Sequence, residues 1–175
     1  MLIIAEKVND ILHKKNLSRQ NLSDFLKKDK SYISRIFSGD RPFPEKIIEK
    51  LIPILEVSKE EFEGWIIADK YPKDALKLAI QIKTDFPYKR KSVLTTKIDE
   101  ILQHKNMSRT ALAKQINYSQ SGLNQIITGK RSVPKSVLKK LSYALDISRN
   151  DILSWILADK YNLQILKTAY SCINT

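Results

Sequence analysis

Apolar residues recur along this chain at the three- and four-residue intervals of a helix face, in short runs broken by polar punctuation. Behind Ser108, a good N-cap, Leu112, Ala113 and Ile116 share one face. The run then breaks at Asn117-Tyr118-Ser119. Asn tolerates the left-handed conformation a tight interhelical turn needs, and Ser119 can cap the next helix. Leu123, Ile126 and Ile127 line that second short helix, and Gly129 is placed to end it. Its outward positions are Gln120, Ser121, Asn124 and Gln125, followed by Lys130 and Arg131, and no acid lies between Ser108 and Arg131. Two short helices, a tight turn and a polar, basic outer face predict a helix-turn-helix.

The same pattern occurs twice. A shift of 90 residues superposes 5–80 on 95–170 without a gap, with 26 identities in 76 positions. The identities fall at structural punctuation: Ser18/Ser108, Leu22/Leu112, Ser31/Ser121, Ile36/Ile126, Gly39/Gly129, Arg41/Arg131 and Pro44/Pro134. Two copies of so long a period mean two domains rather than a solenoid. Each copy reads as about six helices. In the first they span about 3–15, 18–27 and 30–38, then a fourth from Pro44 at its first position, carrying Ile47, Ile48, Leu51 and Leu55. Pro53 should bend that fourth helix or loosen its last turn. Ser58-x-x-Glu61 predicts a capping box opening the fifth, with Ser148-x-x-Asp151 as its counterpart, and Pro72 starts the sixth. The expected fold is all-α: a first helix-turn-helix domain at 1–83, a basic linker at 84–93 and a second domain at 94–175, each domain with extra C-terminal helices.

The fifth helix of each copy ends in one heptad, Trp65-Ile66-x-Ala68-Asp69-Lys70-Tyr71 and Trp155-Ile156-x-Ala158-Asp159-Lys160-Tyr161. Core packing is the favoured reading, with Trp and Ala inward and Asp and Lys solvated; a contact between helices is the other. In the linker, Lys89-Arg90-Lys91 could lie along a phosphate backbone or simply be solvated.

Composition narrows the class of partner. The formal net charge is +12 and the pI about 9.7, which favours a polyanion. One cysteine, Cys172, excludes an intrachain disulfide and fits a reducing compartment. The start of the chain lacks a secretory pattern and no apolar run reaches membrane length, so a soluble, cytoplasmic protein is expected, with no membrane partner. His13 and His104 lie at non-equivalent positions, and no acid cluster or glycine-rich phosphate loop accompanies them. No catalytic constellation, metal site or cofactor is expected, and the chain does not read as an enzyme.

The second copy carries Met107-Ser108, Leu112-Ala113, Ser119-x-Ser121-x-Leu123-Asn124-x-Ile126, Gly129-x-Arg131 and Pro134. The first carries Leu17-Ser18, Leu22-Ser23, Ser31-Tyr32-Ile33-Ser34-Arg35-Ile36 and Gly39-x-Arg41. Both resemble the lambda-repressor/Cro-like, or XRE, helix-turn-helix family, over roughly 3–62 and 93–152. The first copy departs at the turn, where Lys27 stands for the usual Gly and Lys28 for the usual apolar residue.

The resemblance implies a sequence-specific double-stranded DNA-binding transcriptional regulator, commonly a repressor, reading the major groove with two recognition helices per chain. Its DNA-binding residues would be Arg109, Ser119, Gln120, Ser121, Asn124, Gln125, Lys130 and Arg131 in the second copy. In the first they would be Arg19, Lys30, Ser31, Tyr32, Ser34, Arg35 and Arg41. Gln can pair bidentately with adenine, and Arg or Lys with guanine or phosphate. Residues 1–90 carry a net +4 and 91–175 a net +8, so the second copy is expected to lead. A pseudo-dimeric monomer and a homodimer both stay open. The rival reading is a protein-binding module such as an antitoxin or phage-type inhibitor, with a protein partner.

Overall fold

A computed structural model describes residues 2–85 and 92–173 of the chain, so Lys89-Arg90-Lys91 of the linker lie outside the described residues. Among the described residues there are twelve α-helices and no strand. In the first copy these are α1 (Ile3–Lys14), α2 (Arg19–Leu26), α3 (Lys30–Phe37), α4 (Glu45–Leu55), α5 (Lys59–Lys70) and α6 (Lys73–Asp85). In the second they are α7 (Val93–His104), α8 (Arg109–Gln115), α9 (Gln120–Ile127), α10 (Lys135–Leu145), α11 (Arg149–Lys160) and α12 (Leu163–Cys172).

Serine side chains start six of these helices by accepting N–H groups that the first turn leaves without partners. Ser18 Oγ accepts from Asn21 N, Ser108 Oγ from Ala111 N, and Ser119 Oγ from Gly122 N. Ser148 and Asp151 form the full capping box, with mutual bonds of 3.1 and 3.2 Å. At α5 only the Ser58 half forms, from Glu61 N at 3.0 Å. Pro44 stands one place earlier than expected, at the N-cap, and α4 opens at Glu45. Pro53 does not shorten α4, which spans 11 residues like α10. Both end in a left-handed residue, Glu56 or Asp146.

The heptads pack as core where Trp and Ala are concerned: Trp65, Ala68, Trp155 and Ala158 are buried. Their aspartates are not simply solvated. Asp69 accepts the backbone N–H groups of Ile3 and Ile4 at 2.7 and 3.0 Å. Asp159 accepts those of Val93 and Leu94 at 2.6 and 3.0 Å, and the Ser92 hydroxyl at 2.6 Å. Each carboxylate thus caps a helix more than sixty residues away, α1 in one case and α7 in the other. A negative charge suits that position, because helix N-termini present uncompensated N–H dipoles.

Packing divides the chain differently from the repeat. One compact unit is Met1–Tyr71 with Gln164–Thr175; the other is Pro72–Leu163. The expected boundaries at 1–83, 84–93 and 94–175 follow the repeat, whereas α6 belongs to the unit of the second copy and α12 to that of the first. In the second unit α6 packs on α11 and buries Ala75, Leu76 and Ala79. In the first unit α12 buries Ile165, Leu166 and Ala169, and Cys172 packs against the core of that unit. Gly64 on α5 makes the close approach possible: a Cβ there would lie 2.7 Å from Thr168 Cγ2 and 2.9 Å from Thr168 Cβ.

The core of the first unit is aromatic at its centre. Phe37, Phe43, Phe62 and Trp65 follow one another at centroid separations of 5.3, 5.5 and 5.8 Å. The equivalent positions of the second copy are Ile127, Val133, Ile152 and Trp155, so one plan is filled with two different sets of side chains.

Candidate nucleic-acid interface

The pairs α2–α3 and α8–α9 each form a helix-turn-helix. Their turns need one left-handed residue, and the chain supplies Lys27 (φ 51°) and Asn117 (φ 49°). The first turn therefore takes the geometry of the second despite the lysine. A non-glycine, non-asparagine residue there costs about 1–2 kcal/mol. Gly39 and Gly129 follow α3 and α9 with φ of 84° and 72°, as glycine permits. The backbone N–H of Arg41 then donates to Arg35 O, and that of Arg131 to Gln125 O, so the basic residue after each helix is tied back to it.

On α9 the structure exposes Gln120, Ser121 and Gln125, with Thr128, Lys130 and Arg131 beyond. Gln120, Ser121, Asn124, Gln125, Thr128 and Lys130 line one shallow, open depression. Asn124 is half-buried, and its Oδ1 is shielded from solvent without a hydrogen-bond donor. Such an acceptor costs roughly 1–3 kcal/mol until it meets a partner. Ser119 lies at the edge, its Oγ already accepting from Gly122 N. Thr128 was not among the expected residues; its hydroxyl donates to Asn124 O at 2.8 Å. The only hint in the sequence was its hydroxyl-bearing counterpart Ser38.

On α3 the corresponding surface carries Lys30, Ser31, Ser34 and Arg35, all exposed. Tyr32 is half-buried beneath two cations, Arg41 at 5.0 Å and Lys28 at 5.4 Å from its ring centre. Lys28 and Arg41 are thereby both held against one aromatic ring.

The arginines that open α2 and α8 are engaged within the protein. Arg109 donates from Nε and Nη2 to the two carboxylate oxygens of Asp99, at 2.9 and 2.7 Å. Arg19 donates from Nε to Asn9 Oδ1 at 3.0 Å and lies 5.6 Å from the Phe37 ring centre. Asn9 and Asp99 are equivalent positions, so both copies brace this guanidinium, but only the second neutralises it.

Charge is divided more unevenly by packing unit than by repeat. Residues 72–163 carry 17 basic and 7 acidic side chains, a net +10, while the other unit carries 14 and 12, a net +2. Among the described residues, α6 brings Lys73, Lys77 and Lys83 to the second unit, against Asp74 and Asp85.

The fold and this surface define a helix-turn-helix protein. In comparison with known proteins, residues 97–158 match the family model of the Cro/C1-type HTH DNA-binding domain. That stretch contains α8, α9 and α10 entire, most of α7 and most of α11. No curated protein and no solved structure matches the chain. Among the described residues, no helix is long and apolar enough to cross a membrane.

Proposed function

We propose that the chain is a sequence-specific, double-stranded DNA-binding transcriptional regulator that reads the major groove with α9 and also with α3. The observation that carries this reading is the outer face of α9: exposed amides and a hydroxyl, bordered by Lys130 and Arg131, in a stretch without an acid. Amide side chains match the adenine edge in the major groove, and the flanking cations suit phosphate. The +10 charge of that unit supplies the sequence-independent part of the attraction. A chain seated on an operator blocks access to the duplex, so repression is the proposed regulatory mode.

Selection of binders from random duplex DNA, followed by gel shift at two salt concentrations, tests this. An enriched motif and an affinity that falls steeply with salt support it. Binding without sequence preference would replace it with an architectural role. Failure to bind DNA, with one protein co-purifying instead, would replace it with the protein-binding reading. That second reading has its own observation: Tyr143 is 72% exposed and borders a depression with Ile116, Asn117 and Lys140.

A further inference from the structure

The geometry points to a DNA target whose two halves differ in sequence: an adenine-bearing half for α9 and a guanine-bearing half for α3. This rests on the reading of the protein as a DNA binder and adds which bases each recognition helix demands.

The repeat places Gln120 opposite Lys30, Asn124 opposite Ser34 and Gln125 opposite Arg35 in register. The outer face of α9 is neutral, and its long side chains are amides, which pair with adenine N6 and N7. At the same register α3 has no amide and presents Lys30 and Arg35. Those cations pair with guanine O6 and N7. Among the described residues neither has a carboxylate within ion-pair distance, so both charges are open to a base edge.

The surroundings of the two helices are also not interchangeable. In the first copy the aromatic ring is on the recognition helix, as Tyr32, with Lys28 in the turn lying over it. In the second the ring is in the turn, as Tyr118, and Gly122 takes the helix position of Tyr32. A Cβ at Gly122 would lie 2.8 Å from Tyr118 Cε1 and 2.7 Å from Ser119 Oγ, so α9 cannot take a side chain there as it stands. The ring reaches the N-terminal turn of the reading helix from opposite partners, and the cation that accompanies it exists only in the first copy.

The experiment is selection from random duplex DNA with the full chain and three variants, each first checked for helix content and melting temperature. The wild type should enrich two unlike half-motifs. Gln120→Ala with Asn124→Ala should flatten the adenine-bearing half by about tenfold or more in base discrimination and leave the other. Lys30→Ala with Arg35→Ala should do the reverse. Lys30→Gln with Ser34→Asn and Arg35→Gln, which gives α3 the amides of α9, should shift the guanine-bearing half toward adenine. Two copies of one motif in the wild type would overturn the inference while leaving DNA reading intact. So would a single motif untouched by both sets of α3 substitutions. No DNA binding at all would remove the underlying reading as well.

Discussion

The carboxylate of Asp69 accepts the backbone N–H of Ile3 at 2.7 Å and so closes the first unit between the end of α5 and the start of α1. Asp159 does the same for Val93 at 2.6 Å. The two sites differ in what remains if the carboxylate is removed. Leu2, the N-cap of α1, offers no side-chain acceptor, whereas Ser92 caps α7 by accepting from Thr95 N at 3.2 Å. Loss of a cap typically costs about 0.5–2 kcal/mol. Asp69→Ala should therefore cost more than Asp159→Ala, with faster amide exchange at the start of α1. Thermal melts of the two variants decide it, and equal losses would mean that Ser92 contributes nothing extra.

Gly64 lies under Thr168, and a methyl group there has no room. Alanine in mid-helix is intrinsically favoured over glycine by roughly 1 kcal/mol. Overpacking a full site costs about 1–3 kcal/mol, so the clash should win and Gly64→Ala should loosen α12. Cys172 reports on this. Burial lifts its thiol above the usual value, so at neutral pH less of the reactive thiolate is present than in an unfolded chain. Alkylation of Cys172 should be slow in the wild type and faster in Gly64→Ala. Unchanged reactivity would show that α12 does not depend on α5.

The raised thiol also fixes a sign for pH. Because the folded chain holds that proton to higher pH than the unfolded chain, its stabilising contribution is complete below the ordinary thiol value and is lost as pH rises through the raised one. Cys172→Ala should weaken the alkaline fall in melting temperature. A wild-type-like fall would assign it to other groups.

Asp99 holds Arg109 in a bidentate pair, while Asn9 braces Arg19 without a charge. If α8 faces the phosphate backbone, Asp99→Asn should release one net positive charge there. DNA affinity should then rise, and the salt slope should steepen by about one. The same affinity at every salt concentration would place Arg109 away from the duplex.

Lys130 and Arg131 are exposed beyond α9, whereas Arg41 is stacked on Tyr32 beside Asp40. Neutralising the pair Lys130→Ala and Arg131→Ala should weaken binding and flatten its salt dependence by about two contacts, more than Arg41→Ala. Gel shifts across a salt series measure both. Equal effects would count against the lead of the second unit.

Much of the fold was legible because its determinants are local. The helix periods, the serine caps at Ser18, Ser108, Ser119 and Ser148, and the closing glycines act over three or four residues. The turn of the first copy was harder to read, since Lys27 gives no sign of a left-handed residue; packing of Leu22, Leu26 and Ile33 imposes it. The exposed face of α9 followed directly from the burial of Leu123, Ile126 and Ile127 opposite. The engagement of Arg109 did not, because Asp99 is ten residues away on another helix.

The sequence by itself determined twelve short helices in two copies, and which side of α3 and of α9 is polar. Only the tertiary structure decided where α6 and α12 pack, and which aspartates cap which helices. The physical reason is degeneracy. The apolar stripes Ala75-Leu76-Ala79 and Ile165-Leu166-Ala169 are alike in spacing, and so are the surfaces of α5 and α11. Periodicity cannot choose between one acceptor and its duplicate. That choice lies in close contacts such as Gly64 with Thr168, between residues about a hundred positions apart.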